Sequence, residues 1–303
     1  MKDLFGYVGE TIVPMRAASI HLLDRGFRFG DAVFDSARTV KHKIYKNREH
    51  VERLFLSLAA AQIEIPHTAR ELEQICEALA VRNSAVLEDD EEIWITPIVT
   101  RGPLNRNAPF SNGPGTLVIA AERLNFHSYA PSYQEGISLV TPTSRAIPSQ
   151  CIDRRIKSLS RLQFGIAEAE VKRIDAASMP LMLDLDGNVT ETTAANFFVV
   201  QSGALVTAPD EDVLLGISRA TVFELAEQLQ IPVRKRKIQL NEVLRADEAF
   251  ITGTSFCMLP VASINGRQIG ASPPGLLFQQ LLQAWNRILG IDIAEQARSH
   301  LNS

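Results

Sequence analysis

The feature that most constrains this chain is a meander of apolar runs and turns in its second half. Pro180-Leu181-Met182-Leu183-Asp184 is largely apolar, Asp186-Gly187-Asn188 is a turn signal, and Asn196 to Val200 is a further apolar run that stops at Ser202-Gly203. Glycine between Asx residues admits the left-handed backbone of a tight turn. The first run therefore folds back as a hairpin, and Asn196 to Val200 becomes the next strand. Glu191 lies between the turn and that strand, where a strand end could hold its carboxylate as a fixed charge.

Upstream, Asp153-Arg154-Arg155-Ile156-Lys157-Ser158-Leu159-Ser160-Arg161-Leu162 surrounds one lysine with three arginines. Neighbouring cations disfavour an ammonium and favour the free amine that attacks carbonyls. Taken singly, a lysine or a strand-edge glutamate is most often a solvated surface group. Taken together, I-K-S-L-S-R-L and D-G-N-V-T-E-T-T-A-A-N-F-F resemble the paired motifs of the fold-type IV pyridoxal-phosphate enzymes, the class IV aminotransferases. That group includes branched-chain and D-amino acid aminotransferases, (R)-amine transaminases and aminodeoxychorismate lyase. The resemblance implies that Lys157 is catalytic and holds pyridoxal 5'-phosphate covalently, and that Glu191 binds the pyridine nitrogen. Further matches spread it over residues 19 to 262.

The same resemblance implies a two-domain α/β (α+β) fold, with a small N-terminal α/β domain and a larger C-terminal pseudo-barrel domain that binds the cofactor. We place the first at 1–122, a connecting loop at 123–134, and the second at 135–303. With 303 residues, 46% of them hydrophobic, the chain can bury cores for both. The formal net charge of −4 and a sequence pI near 5.9 give no basic field for nucleic acid. Arg234-Lys235-Arg236-Lys237 sits between apolar residues and reads as an exposed edge strand blunted by charge. Cys76, Cys151 and Cys257 are widely spaced, and neither a disulfide framework nor a metal site is indicated. The first residues lack a signal-peptide core, and no apolar run approaches the roughly 20 residues that span a bilayer. A cytoplasmic enzyme is expected, away from membranes.

Phe5 to Val8, Thr11 to Pro14, Ala32 to Val40 and Lys43 to Tyr45 read as strands. The resemblance makes Asp24 to Arg38 one wall of the substrate pocket, with Phe29 and Arg38 on it. Phe29 and Leu162 stand where branched-chain members carry tyrosines. Asn47 reads as the N-cap of a helix whose Val51, Leu54, Phe55 and Leu58 fall on one face. By periodicity Arg53 is on the polar face and solvated, whereas H-x-x-R-L-x-x-S resembles the helix whose arginine grips the cofactor phosphate. A second helix covers about 68–82, the acidic run Glu88 to Glu92 reads as a solvated turn, and strands follow at Ile93 to Val99 and Thr116 to Ala120. Between those strands, Thr100-Arg101-Gly102 with Arg106 resembles the loop that binds the substrate carboxylate in D-amino acid aminotransferases, although Ala108 stands in place of their histidine.

Beyond Lys157, Leu159, Leu162, Ile166 and Ala169 form the expected buried face of a helix ending near Ile174. Ser218 reads as the cap of another, with Val222, Leu225, Ala226 and Leu229 inward. There the resemblance to L-x-G-I-[ST]-R places Leu214 against the pyridine ring and the amides of Ile217 and Ser218 on the phosphate. It gives Thr254 and Ser255, in an otherwise ordinary Gly253 turn, to the same phosphate. Ile264-Asn265-Gly266-Arg267 is a hairpin, and Leu276 to Leu289 a closing amphipathic helix.

The expected activity is a ping-pong transfer of an amino group from a small-molecule donor, an amino acid of branched-chain or D-amino acid type, to a 2-oxo acid acceptor. Aminodeoxychorismate lyase and (R)-amine transaminase chemistry are the alternatives, and F-D-S-A-R with K-S-L-S-R-L resembles the lyase. A cofactor-binding protein without turnover is a third reading. The resemblance further implies a homodimer.

Overall fold

The computed structural model describes residues 2–104 and 114–302, so Arg106 lies outside the described residues. Two compact units emerge: Met1–Leu124 with Ile156–Arg161, and Asn125–Arg155 with Leu162–Ser303.

The first unit runs β1 (Phe5–Val8), β2 (Thr11–Pro14), α1 (Arg25–Phe29), β3 (Ala32–Phe34), β4 (Ala37–Val40), β5 (Lys43–Ile44), α2 (Asn47–Ala61), α3 (Ala69–Ser84), β6 (Ile93–Thr100) and β7 (Thr116–Arg123). Among the described residues its strands form one sheet in the order β2-β1-β7-β6-β4-β5, with β3 also on β6. Leu54 and Leu58 of α2, Leu72 and Leu79 of α3, and Ile93 and Ile95 of β6 share one core. Three sequence expectations change here. Asp24 Oδ1 accepts from Gly26 N and starts a short helix at Arg25–Phe29, between two expected strands where no helix was expected. Lys46, in a left-handed conformation, caps α2, while Asn47 reaches across to the Glu73 carbonyl. Glu92 is sealed at 2% exposure and accepts from the Lys41 and His42 amides, so the end of the acidic run ties two strands rather than meeting solvent.

The second unit contains α4 (Ser132–Glu135), β8 (Ile137–Val140), α5 (Leu162–Ile174), β9 (Met179–Leu183), β10 (Val189–Thr192), β11 (Asn196–Gln201), β12 (Ala204–Thr207), α6 (Ile217–Gln228), β13 (Val233–Lys235), α7 (Leu240–Val243), β14 (Glu248–Gly253), β15 (Cys257–Ile264), β16 (Arg267–Gln268), α8 (Leu276–Leu289) and α9 (Ile293–Ser299). Strands β10-β9-β8-β15-β14-β11 pair in sequence, and β10 pairs back to β11 through Glu191 and Asn196, which closes a barrel. A barrel removes the open edges a flat sheet would expose. β8 runs parallel to β9. Parallel neighbours need a long crossover. The chain uses that crossover to carry Lys157 and α5.

The stretch from Leu124 to Tyr133 is not a bare connection. Phe126, Tyr129, Ala130 and Tyr133 are buried in the second unit, where Tyr133 Oη donates to the Phe256 carbonyl. In α5 the inward face is Ala167 and Val171; Leu162 and Ile166 are 77% and 52% exposed. The expected face was built partly from Leu159, which belongs to the extended segment before the helix and not to its periodicity. The edge strand expected at the basic run is β13, parallel to β12 at the end of the sheet.

Candidate functional site

In the first unit Lys157 sits in an extended segment laid along β3. Phe34 N donates to the Lys157 carbonyl, Leu159 N donates to the Ala32 carbonyl, and Lys157 N donates to Ser57 Oγ. Ser160 Oγ donates to the Gly30 carbonyl, fastening the far end. Gly30 takes the left-handed conformation, and a Cβ there would run into Ser160, so glycine is needed on both counts. These bonds fix the backbone from which the Lys157 side chain extends, with Nζ 4.8 Å from the centre of the Phe34 ring.

Ser57 is one turn beyond Arg53 on α2, and His50, Arg53 and Ser57 form a buried polar row at i, i+3 and i+7. The row exists because β3 and β4 are interrupted at Asp35, whose carboxylate is fully buried and turned toward the helix. Arg53 Nε donates to Oδ2 at 2.7 Å and Nη2 to Oδ1 at 2.8 Å, a fork on a carboxylate, while His50 Nδ1 meets Oδ1 at 2.7 Å. Burial works against a charged Asp35, but the Arg53 guanidinium and the His50 ring, with their hydrogen bonds, hold its carboxyl well below the usual carboxylate range. Burial, then the cations Arg53 and Lys157, lower His50 against the pull of Asp35. That direction favours the neutral ring, and against a carboxylate it is the Nδ1 proton that is donated. Arg53, expected in solvent from periodicity, is 7% exposed.

In the second unit the central group is an anion. Glu191 is 6% exposed. Arg154 Nη2 donates to its Oε1 at 2.9 Å, Asn196 Nδ2 to its Oε2 at 3.0 Å, and Leu214 N at 3.2 Å. Two of the three arginines beside Lys157 in sequence are engaged by carboxylates. Arg154 serves Glu191, and Arg155 is paired with Asp153 in the open. The Leu214 to Gly216 turn leads into α6, whose N-cap is Gly216 and not Ser218. Among the described residues no side chain caps this helix and its first turn holds no acid, so the amides of Ile217 and Ser218 suit an outside acceptor. Thr254 and Ser255 occupy the turn between β14 and β15, anchored by Tyr129 Oη donating to the Ser255 carbonyl.

Two of the residues that the resemblance puts at the substrate, Phe29 and Arg38, lie among the described residues. Phe29 ends α1 on the surface at 58% exposure, under the Arg28 guanidinium, and Arg38 is 1% exposed with Nε donating to the Thr39 carbonyl. Asp35, His50, Arg154 and Asn196 were not singled out from the sequence. The polar row on α2 and the Asp35-Ser36 break in a β-rich run were the available signals.

Pyridoxal phosphate can be tested against these donors. In the first unit a buried guanidinium oriented by Asp35 suits an anion such as a phosphate dianion; in the second unit the start of α6 suits the same chemistry, and the Glu191 carboxylate, oriented by Arg154, Asn196 and the Leu214 amide, suits a pyridinium N–H. The chemistry of the groups present fits the cofactor.

Comparison with known proteins agrees. The family described as amino-transferase class IV matches residues 32–264. A branched-chain-amino-acid aminotransferase-like protein 1 of Arabidopsis thaliana is 32% identical over 290 residues, 94% of this chain; the chain spans only 50% of that relative's length. A D-alanine aminotransferase of Listeria monocytogenes is 29% identical over 280 residues, covering 91% of this chain and 93% of that one. In fold, the branched-chain amino acid aminotransferase of Escherichia coli superposes with a TM-score of 0.88 at 23% identity over 95% of both chains.

Proposed function

This chain belongs to the class IV aminotransferases, and from that premise we propose that it is a pyridoxal-phosphate-dependent aminotransferase moving an amino group between an amino acid and a 2-oxo acid by a ping-pong mechanism. The observation that carries the reading is the seating of Lys157. Its backbone bonds the helix turn that follows Arg53, so a nucleophilic amine and a phosphate-type arginine arise from one rigid assembly.

When bound, the cofactor supplies an aldehyde for an amine to condense with and a protonated ring that accepts the electrons left on the substrate carbon. Lys157 would hold it covalently and, as a free amine, would take the proton from the substrate carbon and return it as general base and acid. Glu191 would keep a proton on the ring nitrogen. Arg53, the amides of Ile217 and Ser218, and Thr254 with Ser255 would hold the phosphate, and Leu214 would support the ring. Arg106 takes the substrate carboxylate, with Phe29 and Arg38 at the substrate side.

A branched-chain or D-amino acid donor is supported by the names of the relatives on both sides. The protein works as a homodimer, which the exposed Leu22, Phe27 and Phe29 of the first unit support. Its three free thiols suit the cytoplasm. No helix among the described residues is long and apolar enough to cross a membrane.

A spectrophotometric panel of L-amino acids, D-amino acids, (R)-amines and aminodeoxychorismate against the loaded protein tests this. Bleaching of the cofactor band by an amino acid, reversed by a 2-oxo acid, is the expected result. Pyruvate release from aminodeoxychorismate without an acceptor would establish the lyase instead. A band that no amine bleaches would leave a binding protein without turnover.

A further inference from the structure

Asn196 opens β11 opposite Glu191 and is 4% exposed. One amide nitrogen makes two bonds: Nδ2 donates to Glu191 Oε2 at 3.0 Å and to the Leu214 carbonyl at 2.9 Å. Leu214 in turn gives its N–H to Glu191, and its carbonyl also accepts from Gly216 N at 2.8 Å. The other end of the same side chain, Oδ1, lies so close to Gly216 that any Cβ at that position would collide with it. The Gly216 φ of −64° is ordinary, so the requirement for glycine there comes from Asn196 and not from backbone strain.

We infer that Asn196 is a positioning residue that joins the Glu191 carboxylate to the Leu214–Gly216 turn at the start of α6, so that the group for the ring nitrogen and the amides for the phosphate are set as one unit. The inference rests on the cofactor reading above and adds a residue which that reading does not use. Asn196 need not touch the cofactor. It acts by spending both donor protons on the two segments at once, which no hydroxyl or carboxylate of its size could do.

The test is a double-mutant cycle read as the dissociation constant for pyridoxal phosphate, with the absorbance maximum of the bound cofactor and the melting temperature of the unloaded chain measured alongside. Asn196→Ala removes both bonds and should weaken binding by about tenfold or more, with a shifted absorbance maximum. Gly216→Ala leaves Asn196 in place but pushes its side chain away, and should weaken binding in the same direction. In the double variant the collision no longer exists, so its affinity should match that of Asn196→Ala alone.

Unchanged affinity in a folded Asn196→Ala chain would overturn the inference, as would a double variant whose loss is the product of the two single losses. A fall in melting temperature with affinity and absorbance unchanged would reduce Asn196 to a packing role and also overturn it. If the wild-type chain binds no pyridoxal phosphate, the cofactor reading fails together with the inference; if the wild type binds and Asn196→Ala binds equally well, only the inference fails.

Discussion

The Arg53 cluster and the Glu191 cluster are built from the same pair of groups with the roles reversed. In the first unit a buried carboxylate, Asp35, supports an arginine assigned to the phosphate. In the second a buried arginine, Arg154, supports a carboxylate assigned to the ring nitrogen. Each charge assigned to the cofactor is oriented by a buried opposite charge, which is how a site keeps a charged group both desolvated and in one rotamer. The two differ in what the shared carboxylate does: Asp35, which accepts from Arg53, His50 and the Ser36 amide, orients the group assigned to the cofactor, whereas Glu191, which accepts from Arg154, Asn196 and the Leu214 amide, is itself that group.

That difference can be broken by paired substitutions. Asp35→Asn removes the buried negative charge that Arg53 and His50 both bond, and the urea-unfolding free energy should fall by about 3–5 kcal/mol. Arg154→Met keeps the Asn196 and Leu214 bonds to Glu191, so its loss should be smaller, about 1–3 kcal/mol. Equal losses, or the reverse order, would show that Asp35 matters no more to the first cluster than Arg154 does to the second.

Acidity should separate the clusters next, because a histidine belongs only to the Asp35 cluster. His50 has a folded pKa below its unfolded value, so the unfolded chain takes up the proton first. Stability present above about pH 6.5 is lost as the pH falls through the unfolded imidazole value. Asp35 is depressed as well, so its contribution persists until the pH falls below the unfolded carboxylate value of about 3.9 and is lost beyond that. Melting temperature against pH should therefore fall in two steps, and His50→Gln should remove the upper one.

The smallest effect marks the outer limit of the second cluster. Arg155 follows Arg154 in sequence, yet its side chain is 60% exposed against 8% for Arg154, and it bonds only Asp153 among the described residues. Arg155→Ala should change the unfolding free energy by no more than about 0.5 kcal/mol.

Much of this was legible in the sequence, unevenly and for physical reasons. Local chemistry wrote itself plainly: Asn265 and Gly266 both take positive φ at the expected hairpin, and α8 spans Leu276–Leu289 as its periodicity required. The inward face of α6 was plain for Val222, Leu225 and Ala226, which are buried, but not for Leu229, which is the C-cap and only half-buried. What periodicity could not supply were polar partners far along the chain. Arg53 looks solvated until Asp35, 18 residues away, is folded against it, and Arg154 looks like a neighbour of Lys157 until Glu191, 37 residues on, claims it. The resemblance supplied a role for Arg53 and Glu191 but none for the groups that hold them. A short helix at Arg25–Phe29 was missed because its signal, the Asp24 cap, is a single side chain ahead of only five residues.

Everything attributed to the two clusters depends on Lys157 being the residue that takes the cofactor. The direct measurement is to load the chain with pyridoxal phosphate, reduce it with borohydride, digest it and locate the added phosphopyridoxyl mass. The mass should be found on the peptide containing Lys157, at one per chain, and vanish in Lys157→Ala. Stoichiometric labelling of a different lysine, or the same labelling in Lys157→Ala, would contradict the account.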